Sequence, residues 1–228
     1  MTVAERREHE REARRNEILD AATGVFYAKG VEAAKMRDIA AAAQLGKGTL
    51  YLYFKTKEEL LLALGVRHQR ALLLRWEREV DPGASGIVQL RRVMSAYAHH
   101  MSTPREHLKM VMSRWASAEP LDGDTRGGEE MRQNVQRIFG TVVATITRGQ
   151  QDGTVRSDIQ PAQLAIHVWS AVNGGLLLSL KLACLRDNPL ASHAPSIDEH
   201  IEVVLDLARA RLEQTPLPGD TSAIEEAG

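Results

Sequence analysis

The chain has 228 residues, of which 43% are hydrophobic and 26% charged, with a formal net charge of −1. These values are typical of soluble globular proteins of one or two domains, and they exclude disordered and fibrous classes. The Arg- and Glu-rich N-terminus lacks the apolar core of a signal peptide, and no apolar run reaches the ~18 residues of a membrane span, so we expect a cytoplasmic protein without a membrane partner.

The single cysteine, Cys184, excludes an internal disulfide and a multi-cysteine zinc site. Because its neighbours are apolar, we expect a buried, inert thiol.

Two short helices joined by a tight turn are predicted between residues 36 and 54. Apolar residues from Met36 to Ala43 recur at the spacing of one helix face, and Gln44-Leu45-Gly46 then interrupts the helix. The second helix begins at once, and Leu50 and Phe54, four residues apart, can seat it on the rest of its domain. Its other residues face outward and suit a phosphate-lined groove: Lys47, Gly48, Thr49, Tyr51 and Tyr53.

Three ordered patterns occur before and within this helix pair. They are Ile18-Leu19-x-Ala21-Ala22 with Val25-Phe26 and Gly30, then Asp38-Ile39-Ala40, then Gly48-Thr49-Leu50-Tyr51-x-Tyr53-Phe54-x-x-Lys57-Glu58-x-Leu60. Through them the run from Arg15 to Leu64 resembles the N-terminal domain of the TetR family of bacterial transcriptional regulators. The resemblance implies a three-helix helix-turn-helix domain whose third helix reads DNA.

The chain departs from the family pattern at two positions. Ala34-Lys35 stands where the family usually has Thr at the start of the second helix, and Gly46 stands where it usually has Ser. Loss of such a side-chain cap costs about 1 kcal/mol for Ala and only a few tenths for Gly.

Local charge favours DNA binding more than the overall charge does. Between residues 35 and 57 there are five basic residues and one acidic residue, Asp38, which gives a local charge of +4. A solvated basic surface would be the alternative explanation. The basic residues flank a helix pair of the right pattern, however, and such an arrangement neutralises phosphates.

We therefore expect DNA contacts from nine residues: Lys35, Arg37, Gly46, Lys47, Gly48, Thr49, Tyr51, Tyr53 and Lys57. Gly48 lets the helix start approach the sugar-phosphate backbone, and Thr49 can contact a base edge. The tyrosines can donate to phosphates, with a core position as the alternative for Tyr53. Lys57 lies in the first turn of the next helix, where a phosphate would offset its unfavourable position; Thr56 and Glu59 are expected to form a capping box there.

No enzymatic motif stands out. A nucleotide-binding loop would need Gly six residues before Lys47, where the chain has Ala41, and the dinucleotide fingerprint fails at Tyr51. His99, His100 and His107 lie near one another in sequence, but Pro104 separates them and no cysteine is close, so surface or pocket histidines are favoured over a metal site. We expect no catalytic residue, no metal and no cofactor.

The remaining predicted elements are also helices, and no segment alternates as a strand. The first is a long helix from Lys57 to about Glu79. Amphipathic helices follow over Ile87–Met101, Leu108–Trp115 and Met131–Ile146, and the last two helices cover Leu164–Leu185 and Ile197–Leu212. A Gly/Asp-rich loop occupies Glu119–Gly128, and we expect the tail 215–228 to be disordered.

The helix from Leu164 to Leu185 is apolar on nearly every face, so something outside its own domain should cover one side. A partner subunit is the simplest cover, and the resemblance implies a four-helix dimer interface with the last helix; a core helix of a larger monomer is the alternative. The expected interface residues are Val168, Val172, Gly175, Leu176, Leu180, Ile201, Val204, Leu205, Ala208 and Leu212.

The resemblance also implies a ligand pocket among the middle helices. Plain core packing is the alternative for each of its expected lining residues, because Met and aromatic residues at helical spacing are often core. The expected lining is Trp76, Tyr97, Met101, Met112, Trp115, Phe139, Trp169 and Asn173, which suggests a lipophilic small molecule.

The sequence thus predicts an all-α protein. A helix-turn-helix DNA-binding domain (12–72) is joined by the fourth helix to a helical effector-binding and dimerisation domain (73–214). The expected function is a transcriptional regulator, a repressor that binds a palindromic operator as a homodimer and is released by a small lipophilic effector. Two alternatives stay open: a regulator whose larger domain contacts a protein through the loop at Gly123–Gly128, and an enzyme built on this fold.

Overall fold

A computed structural model describes residues 2–116, 126–183, 189 and 193–209. In these residues the predicted all-α fold is confirmed, since the sole β feature is an isolated bridge between Val155 and Arg209. The helices are α1 (Val3–Lys29), α2 (Met36–Ala42), α3 (Lys47–Tyr53), α4 (Lys57–Glu79), α5 (Gly86–Ser102), α6 (Arg105–Ala116), α7 (Arg126–Gln151), α8 (Pro161–Leu182) and α9 (Ile197–Ala208).

The first three helices and the start of α4 enclose one hydrophobic cluster. Leu50 and Phe54 are buried in it, as predicted, and they hold α3 against Ile18, Phe26 and Ile39. The turn between α2 and α3 passes through Gln44, whose φ of 55° is left-handed. The two short helices are therefore fixed mainly by burial of a few apolar side chains, because seven residues each are too few for independent stability.

Helix α4 joins this cluster to a second one. Its first half contributes Leu60 and Leu64 to the N-terminal cluster, and its second half contributes Leu72 and Trp76 to the larger cluster formed with α5, α7, α8 and α9. The predicted domain boundary at residue 72 lies on α4, where the larger cluster begins.

The N-terminus of α4 differs in one detail from the expected capping box. The Thr56 hydroxyl accepts a hydrogen bond from the Glu59 backbone N–H at 3.1 Å. The Glu59 carboxylate, however, accepts from the backbone N–H of Lys55 at 2.6 Å. The reciprocal bond thus closes one residue earlier than predicted, and both bonds still fix the chain entering α4.

Helix α8 is buried along one face and exposed along another. By length and composition it could cross a membrane, so the expectation that no segment reaches that threshold is wrong. A core helix meets the same criterion, and α8 packs on α5, α7 and α9 with Leu164, Val168, Val172 and Leu176 in the larger cluster.

This packing corrects the predicted dimer interface. Seven of its residues are almost fully buried inside one chain and cannot contact a partner: Val168, Val172, Leu176, Ile201, Val204, Leu205 and Ala208. Leu180 is half-buried against the same cluster, and a Cβ on Gly175 would lie 2.3 Å from the His200 ring. The prediction failed because α8 is apolar all round, so its periodicity does not tell which face its own subunit covers.

Helix α9 ends earlier than predicted. Arg209, with ψ near 147°, leaves the helix, and the backbone N–H of Arg156 donates to the Ala208 carbonyl at 3.0 Å. Several predictions fall outside the described residues: Cys184, Leu212, the tail 215–228, most of the loop before α7, and the side chain of Trp115.

Candidate DNA-binding surface and ligand cavity

One side of α3 is open to solvent and carries the residues predicted to contact DNA. Lys47 and Thr49 are exposed, and Gly46 precedes the first turn. A Cβ added to Gly48 would meet no atom of the described chain within 4 Å. The fold itself therefore does not require glycine at position 48, which leaves close approach to an outside molecule as its physical use.

The two tyrosines of α3 have different surroundings. Tyr51 is half-buried, and the Lys47 ammonium lies 5.8 Å from the centre of its ring. Tyr53 packs against the N-terminal hydrophobic cluster. Tyr51 is therefore better placed to contact DNA, and for Tyr53 the packing agrees with the core alternative.

Basic residues extend the positive surface beyond α3. Lys35 and Arg37 are exposed at the start of α2. Asp38, the one acidic residue between them and α3, pairs with Lys29 at 3.2 Å. The hydrogen bond from Lys29 holds the pKa of the Asp38 carboxyl below its usual range. The charge of Asp38 is thus balanced by Lys29 within the domain, and it lowers the positive potential of the surface around α3 only slightly.

Lys57 has a partner that the sequence did not indicate. Its ammonium donates a hydrogen bond to the backbone carbonyl of Val31 at 2.9 Å, which ties α4 to the segment between α1 and α2. This bond explains why a lysine is stable in the first turn of α4, so no DNA phosphate is needed to explain it.

Leu52 was missed by the sequence analysis. Its side chain is 72% exposed on α3, three residues from Thr49 and hence on a neighbouring part of the helix surface. Sequence reasoning treats leucine as a core residue, but with Leu50 and Phe54 seating the helix, position 52 must point away from the core. An exposed leucine on this surface suits contact with thymine methyl groups in a major groove.

A cavity of about 420 Å³ lies in the larger domain, among α4, α5, α6, α7 and α8. Four of the predicted lining residues lie on its wall: Tyr97, Met101, Phe139 and Trp169. The rest of the wall is mostly apolar, and it is formed by Leu61, Leu64, Gly65, His68, Gln69, Leu72, His100, His107, Met110, Val111, Met131, Val135, Ile138, Ile166 and Ser170.

Three predicted lining residues do not face the cavity. Trp76 is buried in the larger cluster and donates its Nε1–H to the Val93 carbonyl at 3.0 Å. Met112 packs against the same cluster. Asn173 lies behind the wall, where its Oδ1 accepts from the Tyr97 hydroxyl at 2.7 Å. These predictions were wrong because apolar spacing separates buried from exposed faces but does not separate core from cavity wall.

Three histidines meet in the cavity wall, and the sequence did not bring them together. His68 stacks on His107 with 3.4 Å between ring centroids, and His100 lies 4.1 Å from His68. His99, which was grouped with them in sequence, instead points toward Asp198 at 3.6 Å. Because the three rings come from α4, α5 and α6, only helix packing decides this cluster. Among the described residues, no group of His, Cys, Asp or Glu has an arrangement that could hold a metal ion.

An apolar stripe remains exposed on α8 and α9. Ile166, Leu177 and Leu178 are 44% to 55% exposed on α8, and Val203 and Leu207 are 61% and 68% exposed on α9. Ile166 also borders the cavity, so the stripe begins beside it. Gly174 lies between them on α8 and has open space where a Cβ would be. Five large apolar side chains exposed to solvent on two adjacent helices suggest a surface that binds another protein chain.

Comparison with known proteins identifies the N-terminal domain. Residues 18–64 match the family of bacterial regulatory proteins described as the tetR family. The chain is 25% identical over 156 residues to the fatty acid metabolism regulator protein of Bacillus subtilis. This match covers 58% of this chain and 80% of that protein.

Two solved structures share the fold. The TetR family transcriptional regulator PfmR from Thermus thermophilus superposes with a TM-score of 0.63 at 24% identity, covering 86% of this chain and 99% of that one. The transcriptional regulator FadR from Bacillus subtilis, in complex with stearoyl-CoA, superposes with a TM-score of 0.64 at 19% identity, covering 84% and 95%.

Proposed function

Because this chain is a DNA-binding transcriptional regulator of the tetR family, we propose that it is a cytoplasmic repressor without catalytic activity. It binds a palindromic operator as a homodimer and leaves the DNA when a small lipophilic effector enters the cavity of the larger domain. The observation that carries this proposal is the exposed surface of α3, where Lys47, Gly48 and Thr49 are open to solvent beside a basic patch.

Dimerisation is supported by the apolar stripe on α8 and α9. A face of this kind buries itself against a second copy with two-fold symmetry, so that the same residues meet on both sides. Two half-sites of an operator would then be read by two copies of α3, spaced by about 34 Å or one turn of the double helix.

Effector control is supported by the position of the cavity. Leu61, Leu64 and Gly65 of α4 line it, and Leu61 and Leu64 also belong to the N-terminal cluster. Met110 of α6 has the same double role. A ligand that moves these side chains acts directly on the seat of the DNA-binding domain. This arrangement favours an effector over the alternative in which the larger domain serves only as a protein-docking surface.

The direct test is selection of bound fragments from a random DNA pool by the purified protein, followed by footprinting. The expected result is a palindromic site whose half-sites are contacted on one face of the duplex. The variant Lys47→Ala should lose enrichment, and Lys109→Ala, an exposed lysine on α6, serves as its matched control. Enrichment of no sequence, or of an unpaired half-site by a monomer, would contradict the proposal.

A further inference from the structure

The cavity has one polar end, built from His68, His100 and His107. The Nε2 atom of His100 lies 3.1 Å from the backbone carbonyl of His68, and since a carbonyl accepts, this nitrogen carries a proton. His68 and His107 stack beside it. Three helices thus contribute one imidazole each to a single corner of a mostly apolar cavity.

Polar atoms in this corner lack partners. The Nε2 atoms of His68 and His107 and the Oε1 atom of Gln69 are buried and have no hydrogen-bond partner within the part of the chain that the structure describes. His107 is only 2% exposed. Buried polar groups without partners are unfavourable in a folded protein. Because these three atoms are themselves covered, a ligand group in this corner would pair with them after the rings or the amide turn toward the cavity.

The charges around the corner favour an anionic ligand. Over the described ranges no Asp or Glu lines the cavity, and the lining residues from α7 and α8 are uncharged. The charged groups that act on the three imidazoles, apart from the imidazoles themselves, are two arginines of α4. Arg67 is paired with Asp20 of α1 at 2.7 Å, and Arg75 is exposed to solvent. Glu106 of α6 acts instead on Tyr27 of α1. A cationic ligand would find no counter-charge among these lining residues.

Burial keeps the imidazoles neutral when the cavity is empty. It lowers the pKa of His68 to about 3 and that of His107 to about 4, and it also lowers the pKa of His100. A ligand carboxylate in contact with an imidazole would favour the protonated ring and so raise its pKa. Binding of such an anion near neutral pH would therefore take up a proton from solution.

We infer that the effector is a lipophilic carboxylic acid, whose acid group binds at His68, His100 and His107 while its hydrocarbon part fills the apolar remainder of the cavity. The inference rests on the proposed function, in which this cavity is the effector site. The bound carboxylate accepts a hydrogen bond from an imidazole N–H, and the imidazole that pairs with it gains the proton taken up.

The test compares probes with the same chain and different head groups. Dodecanoic acid, methyl dodecanoate, dodecanol and dodecyltrimethylammonium are titrated into the wild-type protein by calorimetry, each below its solubility limit or micelle concentration. We expect the acid to bind at least tenfold more tightly than the other three. Titrations in buffers of different ionisation heat should show net proton uptake when the acid binds, and this uptake should grow as the pH is lowered from 7.5.

Two variants test which groups hold the proton. His68→Gln and His100→Gln keep hydrogen-bonding capacity but cannot gain a charge, and both positions are partly exposed. Each should reduce the preference for the acid by about tenfold, and the double variant, in which His107 is the one imidazole left in the corner, should take up fewer protons than wild type. His99→Gln, a histidine outside the cavity, is the matched control and should behave as wild type. Circular dichroism verifies that each variant is folded.

The outcomes separate this inference from the proposed function. Equal binding of acid and alcohol, or unchanged proton uptake in a folded double variant, would overturn the acid site while leaving an effector cavity intact. If the acid binds with the expected preference but leaves operator affinity unchanged, the acid site stands and effector-controlled repression fails. Failure of all four probes to bind would overturn both.

Discussion

Lys47 lies exposed at the first turn of α3, and its ammonium can reach beyond the protein surface. We predict that Lys47→Ala weakens operator binding and reduces the slope of log affinity against log salt by about one unit, because one phosphate contact is lost. Tyr51→Phe should weaken binding without changing that slope, since it removes a neutral hydrogen bond. Gel-shift titrations at several salt concentrations measure both effects. A wild-type slope in Lys47→Ala would remove this residue from the DNA contacts.

Gly48 permits a sharper test, because stability and binding should change in opposite directions. A Cβ at this position meets nothing in the described chain, and alanine is favoured over glycine in helices by up to about 1 kcal/mol. We predict that Gly48→Ala leaves the melting temperature unchanged or higher and lowers operator affinity, because the methyl group meets the DNA backbone. Thermal denaturation and gel shifts on the same preparation measure the melting temperature and the operator affinity. Unchanged affinity would show that DNA does not approach this glycine closely.

The buried histidines make stability depend on pH. The pKa of His68 is lowered to about 3 in the folded chain, below the ~6.5 of an unfolded histidine. The unfolded chain therefore binds the extra proton first, and stability present above about pH 6.5 is lost as the pH falls toward 3. Between pH 7.5 and 5 this loss is roughly 2 kcal/mol for one such histidine.

Denaturant unfolding at both pH values measures that loss directly. His68→Gln should show a smaller difference in unfolding free energy between pH 7.5 and 5 than wild type. His99→Gln should keep the wild-type difference, because His99 lies outside the buried cluster. The same pH dependence in His68→Gln as in wild type would assign the acid sensitivity to other groups.

At the level of elements, two adjacent glycines of α8 face different surroundings. Gly174 has open space on the exposed stripe, whereas a Cβ on Gly175 would lie 2.3 Å from the His200 ring of α9. We predict that Gly174→Arg gives a folded monomer with weakened operator binding. Gly175→Arg should instead disrupt the packing of α8 on α9, and even Gly175→Ala should cost about 1–3 kcal/mol of stability.

Sedimentation and thermal denaturation of the two arginine variants distinguish an interface from a core contact. Leu74→Glu, at an exposed leucine of α4, is a control for a charge placed on an apolar surface residue outside the stripe. A dimer that persists in folded Gly174→Arg would move the interface away from α8.

For the whole molecule, the proposed link between the cavity and DNA runs through α4. Its 23 residues extend for about 35 Å, from the N-terminal cluster past the cavity to Trp76 in the larger cluster. In the proposed dimer, a shift of α4 on ligand binding would change the separation of the two copies of α3, and a change of a few ångströms would take one half-site out of register. A tenfold loss of operator affinity requires only about 1.4 kcal/mol of differential binding.

Linkage therefore gives a two-sided prediction for any ligand of the cavity. The ligand should lower operator affinity, and operator DNA should lower ligand affinity by the same factor. Titration of the ligand with and without operator, monitored by calorimetry or by intrinsic tryptophan fluorescence, measures the effect of operator DNA on ligand affinity. A ligand that binds the cavity with the same affinity in both cases would contradict the release mechanism while leaving DNA recognition unaffected.

The sequence by itself determined the local features of this protein. The spacing of apolar residues and the turn at Gln44-Leu45-Gly46 predicted α2 and α3, and the four-residue separation of Leu50 and Phe54 predicted how α3 is seated. The predicted end of the long helix at about Glu79 also agrees with the end of α4. These features depend on backbone geometry and on neighbours three or four residues apart, which a single sequence displays directly.

Only the tertiary structure decided which residues far apart in the chain meet. The histidine corner joins positions on three helices, and the cavity wall and the core have the same apolar composition, so no spacing distinguishes Tyr97 from Trp76. Likewise, α8 is apolar on nearly every face, and its packing against α5, α7 and α9 decides that Val172 is buried while Leu178 stays exposed. The physical reason is that periodicity specifies the faces of a helix, whereas the packing of helices specifies what each face contacts.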